Sequence, residues 1–197
     1  MNEIRRFLDP APGFEGEVAI WVATLDDARR QTKAVVEGLT VEQLAWKPPA
    51  GGNSIGQLLR HVALVELDWV ITDLCGEKEL PPGAPPLMTL DGPMAEPGPR
   101  PLAEFIEALD WCRALTKERL KKFPKGEIEA TRTYRGEGVI KVFNVRWILY
   151  HLLDHEAQHK GQILAIRRMK ESTKDEGPRT KSERRGRKDE AGKTRPK

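Results

Sequence analysis

The chain has 197 residues, of which 39% are apolar and 32% charged, with a formal net charge of +3. That length suits one domain with an extension, and no apolar run reaches the roughly 18 residues of a membrane span. The first residues, MNEIRRFLDPAPGFEGE, lack the apolar centre of a signal peptide, so a cytoplasmic protein is expected.

Helical periodicity begins near Gly16 and runs to Leu39, with Val18, Trp21, Val22, Leu25, Ala28 and Val35 at helical steps. The segment LTVEQLAWKPPAGGN then offers a short helical turn and a Pro-Gly break. A second helix is predicted to start at Ser54, where Ser54 and Gln57 form a capping-box pattern, and to stop at Gly76. Residues 76–100 hold seven prolines and four glycines, a composition that predicts a long irregular connection serving as crossover or lid. The third helix is placed at about Leu102 to Phe123. In EIEATRTYRGEGVIKVF, β-branched residues flank Arg135-Gly136-Glu137-Gly138, which suggests a hairpin or extended loop. A fourth helix is placed at about Asn144 to Met169, with Asn144 as N-cap. The expected fold class is all-α: a four-helix bundle over residues 1–170, with the long Pro-rich connection between helices 2 and 3.

Residues 171–197 carry ten Lys/Arg and six Asp/Glu, whereas residues 1–170 carry 23 and 24. The basicity therefore belongs to the end of the chain. That stretch has one Ala and no larger apolar residue, so a disordered, solubilising tail is expected, without a specific nucleic-acid partner. Cys75 and Cys112 have no ligand-like or CxxC spacing and are read as reduced thiols.

The chemistry concentrates in YHLLDHEAQHKGQ, where His151, His155 and His159 follow at four-residue steps. Residues four apart stack on one helix face. Projected on the helix, His155 and His159 fall inside the apolar stripe of Ile148, Leu152 and Ile163, and His151 falls at its edge. Imidazoles among apolar side chains need partners, and a shared metal ion supplies one. The remaining histidine, His61, projects to the rim of the second helix's inward stripe, where a bundle can bring it opposite His155 and His159. Three imidazoles with open positions are the composition of a catalytic zinc site, although nickel, iron or copper also accepts them. Glu156 and Glu66 both project inward, where they could orient ligands or act as base toward a metal-bound water; Glu156 is the candidate catalytic residue. The alternative is that helix curvature takes both to solvent.

His155-Glu156-Ala157-Gln158-His159 also matches the H-E-x-x-H of zinc proteases. A metzincin would need Gly and His where Gln162 and Ala165 stand, and a gluzincin would need a third-ligand Glu on a later helix, where beyond Met169 only a disordered tail is expected. Trp69, Trp147 and Tyr150 are read as core aromatics first and pocket lining second.

Three motifs carry a resemblance over about residues 16–170: the "GLT…QL…W.P" approach to the second helix, its "SI..LL.H…E..W", and the "H…H…H.GQ" of the fourth. Together they resemble the DinB-like/YfiT-like superfamily of bacterial metal-binding four-helix bundles. The resemblance implies one divalent ion (zinc, nickel, iron or manganese) held at the positions of His61, His155 and His159. His151 would line the site or stand behind the ligands, Gln162 would reach its rim, and Gly161 would permit close helix packing. Relatives imply a small-molecule substrate. The reaction would be thiol-dependent S-transfer with a low-molecular-weight thiol co-substrate, or else metal-dependent hydrolysis or non-catalytic metal binding. A homodimer is allowed and no membrane partner is expected.

Overall fold

The computed structural model describes residues 7–77, 79–89, 92, 94–122, 127–136 and 138–175. Five α-helices and one two-stranded sheet are found among them: α1 (Gly16–Val36), α2 (Val41–Ala45), α3 (Ile55–Leu67), α4 (Leu102–Lys121), β1 (Thr131–Gly136), β2 (Val139–Asn144) and α5 (Val145–Asp175). The hairpin amends the all-α expectation. No helix among the described residues is long and apolar enough to cross a membrane.

Local chemistry sets most of the helix starts. Thr40 and Gln43 cap α2 reciprocally, as Ser54 and Gln57 cap α3, each side chain answering the other residue's backbone N–H. Asn144 Oδ1 accepts from the Trp147 backbone N–H at 2.9 Å, which caps α5 where β2 ends. Helix α1 stops three residues short of the expected Leu39, because Gly38 takes φ +72 and turns the chain. Helix α3 does not end at Leu67; it widens into π-helical turns over Asp68–Leu74, an irregularity that 3.6-residue periodicity does not register.

Helix α1 packs on α5 and α4, and α3 packs on α4 and α5. Between them lies a continuous apolar core that includes Val22, Leu59, Leu109, Ile148 and Ile163. Gly56 lets α3 approach its neighbours closely: a Cβ there would lie 2.9 Å from Phe105 Cζ and 3.3 Å from the Leu44 carbonyl. Gly161 has no such role. It is exposed, with nothing within 4 Å of a would-be Cβ, so the close packing expected there is absent.

Helix α5 runs 31 residues, to Asp175, past the expected tail boundary at 170. Lys170 holds its end down by pairing with Glu42 Oε1 at 2.8 Å and donating to the Glu42 carbonyl, while Arg167 reaches the Val35 carbonyl. The rest of the expected disordered tail, 176–197, lies outside the described residues.

The Pro-rich connection is plugged into the body rather than free. Leu87 and Met88 are buried in the core. Buried Arg60 of α3 donates through all three guanidinium nitrogens: Nε to the Leu87 carbonyl at 3.0 Å, Nη1 to those of Gly92 and Ala95, and Nη2 to the Thr89 carbonyl and hydroxyl. One side chain thus templates a segment that has no ladder of its own.

Candidate metal centre

Helix α3 delivers His61, and two successive turns of α5 deliver His155 and His159. His155 Nε2 lies 3.1 Å from His61 Nε2 and 3.0 Å from His159 Nε2. One ligand atom of each ring falls within 4.8 Å of the others. The rings are half-buried and tilted or edge-on to one another, so their nitrogens rather than their faces converge.

His159 Nδ1 lies 2.9 Å from Gln162 Oε1. A carbonyl oxygen only accepts, so the ring proton sits on Nδ1 and the Nε2 lone pair faces the other two imidazoles. Burial, reinforced by the charges of His159, His61 and His151, pushes His155 down to about 3, so it is neutral at physiological pH. The donor set fits a divalent cation. Such an ion accepts converging imidazole lone pairs, and tetrahedral ligands at about 2.0–2.1 Å stand about 3.4 Å apart, close to the spacing found.

Glu66 and Glu156 do not turn to this centre as free carboxylates. They sit in a buried charge network with one residue from each of the four long helices: Arg29 of α1, Glu66 of α3, Arg113 of α4 and Glu156 of α5, each at most 6% exposed. Glu156 accepts from Arg29 Nε at 2.8 Å, Arg29 Nη2 at 3.2 Å and Arg113 Nη2 at 3.3 Å. Glu66 accepts from Arg29 Nη2 at 2.5 Å, Arg113 Nε at 2.7 Å and the Thr116 hydroxyl at 2.8 Å. Arg29 Nη1 also caps the Leu109 carbonyl. Burial alone would raise Glu66, but Arg113 and Arg29 outweigh it and hold the carboxyl at about 2. Burial works against the Arg29 charge in the same way, and Glu66 and Glu156 reverse the balance and raise it.

Sequence reasoning placed both glutamates inward and missed their partners. The available signal was Arg29 itself, which stands at core spacing between Val22, Leu25, Thr32 and Val36, all buried. Arg113 likewise falls one turn after buried Leu109.

His151 belongs to a row of rings. Phe143, Trp147, His151, His155 and His159 recur every four residues, and each neighbouring pair is in ring contact. His151 stacks on Trp147 at 5.1 Å and meets Trp69 at 4.9 Å, and burial lowers its pKa. Trp147 and Tyr150 are 42% and 51% exposed, which corrects their reading as core. Both thiols are free; Cys112 is buried and Cys75 half-buried, and burial raises both, leaving them protonated.

Beside His61 opens a cleft of about 350 Å³, lined by Leu64, Val65, Asp68 and Trp69 of the α3 side and by Thr89 and Gly92. The last two are the residues that hang from Arg60.

A sequence model described as the DinB superfamily matches residues 24–163. Among solved structures, a crystal structure of a conserved protein from Enterococcus faecalis superposes with a TM-score of 0.60 at 19% identity, covering 79% of this chain and 98% of that one. At that identity the likeness speaks for the fold alone. No curated protein matches the sequence.

Proposed function

The chain belongs to the DinB superfamily, and from that premise we propose a metal-dependent enzyme whose four long helices form a bundle around a divalent ion held by His61, His155 and His159. One observation carries the reading: three imidazole nitrogens from two helices converge at 3.0 and 3.1 Å, with a side-chain carbonyl fixing the tautomer of one. The substrate is a small molecule seated in the cleft beside His61.

Bound there, the ion would lower the pKa of a coordinated thiol and present it as thiolate. We favour this S-transfer reading over hydrolysis for a specific reason. The carboxylate that the sequence singles out as base for hydrolysis, Glu156, has both oxygens engaged by Arg29 and Arg113. Glu156 and Glu66 then act as struts that fix the rotation of α5 against α3, and so the aim of His155 and His159 at His61. Gln162 orients His159. His151, Trp147 and Trp69 form an aromatic flank that limits water beside the ligands.

Elemental analysis of protein expressed in metal-replete medium should find about one divalent ion per chain. His155→Ala and His159→Ala should lose it, along with conjugation of a small thiol to an electrophile such as monochlorobimane. Wild-type protein without metal, with stability indifferent to both substitutions, would sink the proposal; metal without turnover would leave a binding protein.

A further inference from the structure

The cleft beside His61 has a direction. His61, Leu64, Val65 and Asp68 all line it, and they stand at i, i+3, i+4 and i+7 on one helix. That spacing is one continuous face, about 10 Å long from the first residue to the last. At one end are the imidazoles; along the middle lie Leu64, Val65 and the Trp69 ring; at the other end is the Asp68 carboxylate. A second hollow of about 260 Å³ continues beyond it, sharing Leu64 and Asp68 and adding Glu79. No lysine or arginine among the described residues lines either hollow.

The far-end carboxylate has no bonded cation among the described residues. Some acids of this surface find cations, as Asp110 does with Lys33, Glu104 with Arg100 and Glu17 with Arg146. Asp68 makes no ion pair or side-chain hydrogen bond among the described residues. Its field is felt one turn on, at Asp73, whose pKa is raised by burial and then by Asp68, against the opposing pull of Lys141. An exposed carboxylate at the end of an apolar trough that the half-buried Trp69 helps to line is a receptor for an organic cation.

We infer that the substrate, or one of two co-substrates, is an elongated molecule with an apolar middle lying along Leu64, Val65 and Trp69 and a cationic group seated at Asp68, about 10 Å along the helix from the reacting end. This deepens the function proposed above and rests on it for the identity of the reacting end. The distance also keeps the cation clear of a like-charged metal.

The test uses matched probes, 4-phenylbutylamine and 4-phenylbutan-1-ol, titrated at neutral pH into the full chain and followed by the Trp69 indole resonance. Both the protein as purified and the protein after chelation are measured. The ammonium should bind roughly three- to tenfold tighter than the alcohol, with the preference shrinking as salt is added. Asp68→Asn should abolish the preference and leave alcohol binding unchanged, and Asp68→Lys should reverse it. Equal binding of the two probes, a preference that survives in Asp68→Asn, or no binding of either probe overturns the inference. Because the preference is read with and without metal, an empty metal site would defeat the proposed activity and leave this result standing.

Discussion

Glu156→Gln separates a strut from a base. The substitution keeps the side chain's shape and removes one of the two negative charges that face Arg29 and Arg113 in a site at most 6% exposed. Glu156 accepts three bonds from the two guanidiniums, and Gln can accept on one oxygen while presenting an N–H₂ to a cation. Removing one member of a buried, hydrogen-bonded ion pair costs about 3–5 kcal/mol, since the partner charge stays buried. With a urea slope of about 2 kcal/mol per molar, the unfolding midpoint followed by tryptophan fluorescence should fall by roughly 1.5–2.5 M. Taking out a whole pair in Arg29→Met/Glu156→Leu should fall well short of the sum of the two singles, because Arg113 and Glu66 remain matched. A Glu156→Gln protein with an unmoved midpoint and lost turnover would refute the reasoning and return Glu156 to the chemistry.

Acid should unfold the protein through Glu66. Its folded pKa, about 2, lies below the ordinary 4.5, so it contributes about 3 kcal/mol above pH 4.5 that disappears as pH falls toward 2, measurable as midpoints across a pH series. His155 is also depressed, from 6.5 to about 3, so the metal-free protein should lose further stability as pH falls from 6.5 toward 3, and His155→Ala should flatten that part of the profile. Gln162→Ala should weaken metal affinity about 10- to 100-fold in competition with a chromophoric chelator, with the fold intact by circular dichroism; an unchanged affinity would show that the carbonyl does not orient His159. Gly56→Ala should destabilise by about 1–3 kcal/mol in thermal melts, because a Cβ 2.9 Å from the buried Phe105 ring forces one of them to move.

What the sequence made legible was what depends on short spacing. The capping pair Ser54/Gln57, the Asn144 cap and the four-residue step of His155 and His159 are all decided within one helical turn. The Arg29–Glu66–Arg113–Glu156 network was not, since it needs the mutual rotation of four helices, and projecting one helix reveals an inward glutamate without revealing which guanidinium meets it. The same limit explains Gly161, which motif position suggested as a packing glycine and which faces open space. The length of α5 escaped because its last turns rest on Lys170 and Glu42, residues far apart in the chain. Trp147 and Tyr150 were misjudged because large rings are usually buried, whereas here they stand on the outer flank of α5.

Arg60 and His61 are neighbours in the chain, yet one side chain suspends Thr89 and Gly92 while the other faces the imidazoles of α5. The outer rim of the cleft and its histidine therefore ride on the same turn, and displacing α3 moves both as one part. The converse matters for how such a scaffold can diversify. Residues between Gly76 and Arg100 that neither plug the core, as Leu87 and Met88 do, nor meet Arg60, Ser54 or Gln57 can be exchanged, and the mouth of the site changes shape while the nitrogen geometry beneath it stays as it was. In the enzyme proposed above, selectivity and reactivity are thereby separable inheritances, one written in a partly replaceable strap and the other in two helices.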